Sequence, residues 1–159
     1  MIVTVLSPDL ALSDGVAKSY WPQLTLTDRV LDTDVASRSF TGRLTSTASA
    51  RLAGYTLCIS VVTLGELTTW TRVRSWGPRR RAALDVWCRQ TLLLDVDEGV
   101  AITWGESQAR AQTRGRPRPV NDSWIAATCT SLAVPLATFN RKDYLEHAEH
   151  DALVLFDLG

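Results

Sequence analysis

Four acidic residues stand where short apolar runs give way to helix-forming segments. Asp32 closes the run Val30-Leu31 in VLDTDVAS, and Glu66 lies near the start of an amphipathic stretch in ISVVTLGELTTW. Asp122 opens VNDSWIAATCTSLAV, and Asp143 follows a strand-like run in LATFNRKDY. They are far apart in the chain, so only a fold that gathers strand ends at one edge brings them together. Carboxylates sharing a pocket repel each other and cannot all stay ionised without a cation. A bound Mg²⁺ or Mn²⁺, both of which take oxygen ligands, is the simplest resolution.

The elements that must position these acids follow from the chain's punctuation. Strands are expected at Arg29–Asp32, Leu57–Ser60, Leu92–Val96, Leu136–Thr138 and Ala152–Phe156. Between them, helices are expected over Thr45–Ala53, through the segment carrying Glu66, from Pro78 through PRRRAALDVWCRQ, over Gly99–Arg114 and over Asn121–Leu132. Ser60 or Thr63 suits the N-cap of the Glu66 helix, and proline favours the first helical turn at Pro78. Strands alternating with helices imply a parallel sheet covered on both faces. Ligands of such sheets bind outside the carboxyl ends of the strands. Residues 1–28 differ from the rest, with turn signals such as Ser7-Pro8-Asp9 and Trp21-Pro22 and little periodicity. They are expected to form an extension outside a core domain of residues 29–159.

Composition sets limits. The chain has 17 basic and 17 acidic residues and a pI near 6.7, which argues against a protein that coats polyanions. Cys58, Cys88 and Cys129 form no CxxC and are expected to be reduced, largely buried thiols of a cytoplasmic protein. No apolar run has the length of a membrane span, and Pro8 and Asp9 break up the N-terminal apolar stretch, so neither a span nor a signal peptide is expected. None of the nine glycines forms a GxGxxG, and there is no Walker A lysine motif and no GxSxG. His147 and His150 lack a third ligand motif nearby and read as exposed surface residues.

In order and in spacing, VLDTDVAS, ISVVTLGEL, VNDSWIAA and LATFNRKDY resemble the PIN-domain endoribonucleases of the VapC toxin type. The resemblance covers roughly residues 29–156. It implies a three-layer α/β/α sandwich around about five parallel strands, Mg²⁺- or Mn²⁺-dependent cleavage of RNA, a cognate antitoxin and a homodimer. Asp32, Glu66 and Asp122 match the family's acids. Asp143 supplies the fourth charge, because Asn140 stands where some members have an acid. Asp34 is given a hydrogen-bonding role, and Thr138 and Asn140 are expected to orient ligands or the attacking water.

Two groups of arginines could meet RNA. Arg72, Arg74, Arg79, Arg80 and Arg81 flank Trp76-Gly77-Pro78, while Arg110, Arg114, Arg116 and Arg118 lead up to Asp122. Arginine suits phosphate recognition through its forked donors. The second group is the preferred RNA contact because it approaches the acids, and some of the first could face an acidic antitoxin segment. Two other readings are weighed. Asp32-Thr33-Asp34-Val35 resembles the nucleophile motif of haloacid-dehalogenase-like phosphatases, though Ala36 follows where a hydroxyl is wanted. A non-catalytic PIN-like module that binds RNA or protein is the other.

Overall fold

Val30 and Leu31 face opposite sides of the sheet, and that alternation organises the molecule. The computed structural model describes residues 24–159. Among them lie five strands: β1 (Asp28–Leu31), β2 (Thr56–Ser60), β3 (Leu92–Leu94), β4 (Leu136–Ala137) and β5 (Leu155–Phe156). Seven helices connect and flank them: α1 (Thr33–Phe40), α2 (Ser46–Leu52), α3 (Val61–Val73), α4 (Pro78–Arg89), α5 (Glu98–Thr113), α6 (Val120–Leu132) and α7 (Arg141–His150).

All strand pairs are parallel, and the sheet order is β3-β2-β1-β4-β5. On one face Leu31 and Ile59 pack with Val35 and Ala36 of α1, Ala48 and Leu52 of α2, Leu67 of α3 and Leu84 of α4. On the other, Val30, Cys58, Leu94 and Leu136 pack with Ile125, Ala126 and Cys129 of α6 and Tyr144 of α7. Helix α5 lies against α6, with Trp104 and Trp124 stacked at 4.5 Å between ring centroids. This is the expected three-layer α/β/α sandwich. The order reverses at β1: the chain moves outward through β2 and β3, then returns to place β4 on the other side. The carboxyl ends of β1 and β4 therefore border the crevice where such sheets take ligands.

Two helices escape a reading of the sequence. Helix α1 has the composition TDVASRSF, rich in residues that favour caps and turns over helix interiors. It forms because Asp32 caps it and its buried Val35 and Ala36 dock on the sheet. Helix α7, RKDYLEHAEH, buries Tyr144 and His147, so no apolar stripe announces it. The remaining elements lie close to their expected bounds. Ser60, not Thr63, caps α3, accepting from the Thr63 backbone N–H at 3.1 Å. The boundary expected after residue 28 cuts into β1, which begins at Asp28, and Leu24 packs against the core. Residues 1–23 of the expected extension lie outside the described residues. Among the described residues no helix is long and apolar enough to cross a membrane.

Candidate active site

Asp32 directly follows β1 and caps α1, which puts its carboxylate at the β1–β4 crevice. It is buried and accepts three hydrogen bonds: from the Thr33 backbone N–H at 2.7 Å, the Thr138 hydroxyl at 2.8 Å and the Tyr144 hydroxyl at 3.0 Å. Thr138 comes from the loop after β4, and its oxygen also accepts the Asn140 N–H at 2.9 Å. One threonine thus ties the β4 loop to the end of β1. Burial raises the Asp32 pKa and the nearby Glu66 adds to it; the bonds from Thr138, Thr33 and Tyr144 work the other way.

The other acids arrive from three helices. Glu66 of α3 accepts from the Thr33 hydroxyl on one oxygen and from Asn121 Nδ2 on the other, at 2.7 Å. Asp122 sits in the first turn of α6, and Asp143 in the first turn of α7, where it accepts from Asn140 Nδ2. Asp122 is pushed up to about 6, by burial first and then by Asp32, Asp143 and Glu66. All four acids expected from the sequence therefore share one field. Among the described residues none of them forms a salt bridge with a cationic side chain.

Asp34 stands behind this group. One of its oxygens accepts the Phe139 N–H at 3.1 Å, which pins the loop after β4, and the other is buried without a partner. Burial and the neighbouring Asp32 push it up to about 6. Three participants went unnoticed in the sequence. Thr33 and Asn121 each adjoin an expected acid, so their positions in DTD and VND were the available signal. Tyr144 had none. It is fully buried, and burial with the adjacent Asp32 and Asp122 drives its pKa far upward, so it stays a protonated donor.

The PIN domain family profile matches residues 29–150. The chain belongs to the PIN domain family. Within that family it resembles the VapC type: it is 34% identical over 91 residues to Ribonuclease VapC4 of Mycobacterium tuberculosis, covering 55% of this chain and 69% of the relative. Solved structures share the fold. VapBC-1 from nontypeable Haemophilus influenzae superposes with a TM-score of 0.73 at 22% identity, covering 82% of this chain and 98% of the other. VapBC-5 from Mycobacterium tuberculosis, a member of the VapBC family of toxin-antitoxin systems, gives 0.57 at 24% identity, covering 82% and 99%.

Membership of the PIN family displaces the phosphatase reading. Both oxygens of Asp32 are also committed to hydrogen bonds, which suits an oriented carboxylate better than an attacking one. Of the arginines leading up to Asp122, Arg118 needs correction as an RNA contact. Arg118 is buried and bonds to Asp151, to Ser107 Oγ at 2.9 Å, to His147 Nδ1 at 2.8 Å and to the Glu146 carbonyl at 3.0 Å. Arg110 grips Asp151 at 2.8 Å, and Arg116 and Arg114 reach Glu146 at 2.8 and 3.5 Å. All four face acids of α7 and its C-terminal end; Arg118 is closed off from any surface strand, while Arg116 stays exposed. His147 is likewise buried, not exposed: burial, then Arg118, lower it to about 4, so it is a neutral acceptor at pH 7.

A divalent cation fits the acid pocket by charge and by donor type. Carboxylates from four elements meet with no protein cation paired to them, and every donor is oxygen. Among the described residues no three acidic, histidine or cysteine side chains are arranged to grip one ion directly.

Proposed function

We propose that this chain is a Mg²⁺- or Mn²⁺-dependent endoribonuclease and the toxin of a toxin–antitoxin pair. The observation that carries the reading is Asp122, held near pKa 6 by burial and by three other carboxylates, with no cation paired to any of the four. Membership of the PIN family and the relative named Ribonuclease VapC4 support RNA as the substrate. A structural relative described as a member of the VapBC family of toxin-antitoxin systems supports an antitoxin partner; the homodimer and the cytoplasmic location are part of the same proposal.

Asp32 and Asp122 would hold the principal ion, Glu66 would reach it through water or take a proton, and Asp143 would complete a second position. When bound, such an ion neutralises charge on the phosphate and lowers the pKa of a bound water. The chain's own residues prepare that event. Tyr144 and Thr138 fix both oxygens of Asp32, so its rotamer is set before substrate arrives. Asn121 and Thr33 orient Glu66 in the same way. Asp34 holds the Phe139 N–H and with it the loop that presents Thr138 and Asn140. These contacts are positioning work, which reduces the reorganisation needed at the moment of reaction.

The test is RNA cleavage by purified protein with EDTA, with Mg²⁺ or Mn²⁺ restored, and with Asp122→Asn. Cleavage should vanish in EDTA, return with the ion, and fall by at least about a hundredfold in the variant, a change of about 2.7 kcal/mol. Cleavage that survives EDTA, or a variant as active as wild type at limiting Mg²⁺, rules the assignment out.

A further inference from the structure

The four acids sit at one end of α1, and a cleft of the opposite charge opens at its other end. Arg38, Arg43, Arg74 and Arg80 line it with Ser37, Thr41 and Trp76, around a volume of about 430 Å³. No carboxylate lines the cleft. Among the described residues none of these four guanidiniums forms a salt bridge or a side-chain hydrogen bond, in contrast to Arg110, Arg116 and Arg118. Four like charges around one cleft repel each other until an anion enters.

Aromatic rings hold three of the four in place. Arg80 lies 3.8 Å from the centroid of Trp76, Arg38 lies 4.6 Å from that of Phe139, and Arg74 lies 4.9 Å from that of Trp70. A ring under a guanidinium orients it through the π face and leaves its N–H edge free to donate. The cleft is thus preorganised for the planar, two-pronged recognition that phosphate oxygens accept.

The cleft also connects to the acids. Arg38 is in the last turn of α1, six residues beyond Asp32, a rise of about 9 Å along the helix. The ring beneath Arg38 belongs to Phe139, whose N–H is held by Asp34 and whose neighbours are Thr138 and Asn140. A strand seated at the acid pocket would therefore have its next phosphates within reach of this cleft.

We propose that the cleft of Arg38, Arg43, Arg74 and Arg80 binds the backbone phosphates of the RNA strand that enters the carboxylate pocket. The proposal rests on the ribonuclease reading above and adds the path of the substrate. It explains how a pocket of uncompensated carboxylates can admit a polyanion: the attraction is supplied one helix length away. Phosphate contacts set the register of the strand and carry no base preference.

The test measures binding of a labelled 2′-O-methyl RNA of about 12 nucleotides, within the range of single-strand sites and checked for intactness on a denaturing gel after each titration. Anisotropy is followed across a salt series with Mg²⁺ present. Arg74→Gln/Arg80→Gln should lose at least about tenfold in affinity, and the slope of log K against log salt should flatten by about 1.4, the value for two phosphate contacts. Arg43→Gln, an exposed position without an aromatic partner, should lose less and in the same direction. Arg116→Gln, outside the cleft, should bind as wild type does. If the double variant keeps wild-type affinity while wild type cleaves the unmodified RNA, the path is wrong and the nuclease reading stands. Absence of both binding and cleavage in wild type overturns both. A polyglutamate peptide that loses affinity in the double variant, with RNA binding unchanged, makes the cleft a protein-binding surface and overturns the proposal.

Discussion

Asp122 and Asp151 are aspartates on neighbouring helices, and their surroundings drive them in opposite directions. At Asp122 burial and three further carboxylates push the pKa up to about 6. At Asp151 burial works the same way, but bonds from Arg118, Ser107 and Arg110 overcome it and hold the pKa near 2. Desolvation is common to both sites; the supply of donors is what differs. In the network behind α6 and α7, charges are paired and hydrogen-bonded, which is what a folded core needs. In the pocket they are left uncompensated, a cost that persists where it serves chemistry. The two regions are mechanically joined. Arg118 directly precedes the turn into α6 with Asn121 and Asp122, and Asp151 closes α7 with Asp143 and Tyr144. The paired charges hold the unpaired ones in position.

The largest effect should come from breaking the paired region. Arg118→Met removes the buried partner of Asp151, leaving it Ser107 and the part-exposed Arg110, and should cost about 3 kcal/mol in denaturant unfolding, the lower end of the range for a broken buried pair. Combining it with Asp151→Leu should cost less than the two single changes added together, because both members of one interaction are then removed at once. Strict additivity would show that the network is not one unit. A smaller effect is expected at the seam between the regions. Tyr144→Phe keeps the buried ring but removes the donor to Asp32, so cleavage should drop about tenfold with little loss of stability. An unchanged rate would show that Asp32 needs no help in orientation.

The smallest effect is on stability alone and has the opposite sign. A carboxylate whose folded pKa is raised binds its proton more tightly in the folded state. It therefore contributes stability at low pH that is lost as pH rises through about 6. Asp122→Asn should raise the stability of metal-free protein at pH 7, by about 1 kcal/mol after allowance for solvent screening, and leave it unchanged near pH 4. His147 runs the other way: lowered to about 4, it contributes stability at neutral pH that fades as pH falls from 6.5 toward 4. Thermal melts across this range separate the two regions by the sign of their slopes.

Much of the pocket was legible in the sequence because its acids sit at punctuation points. Asp32 follows an apolar strand, Asp122 opens an apolar helix, and both positions are set by local pattern. The paired region was not legible. Arg110, Arg114, Arg116 and Arg118 are near Asp122 in the chain, and only the return of α7 places Glu146 and Asp151 against them. That helix was itself hidden, since it buries a tyrosine and a histidine where periodicity looks for aliphatics. The unpaired arginines of the cleft, Arg38 and Arg43 with Arg74 and Arg80, come from α1, the loop after it, the end of α3 and the start of α4. No sequence window contains that cleft.

The central claim is that the unpaired carboxylates form a cation site. Calorimetric titration of Mn²⁺ into wild type and Asp122→Asn, at pH 7.5 and again at pH 5, tests it most directly. Protons compete for Asp122 below about 6, so wild-type affinity should fall on acidification, and the variant should bind weakly at both values. Equal Mn²⁺ affinity in the two proteins, or affinity that ignores pH across this range, would contradict the account.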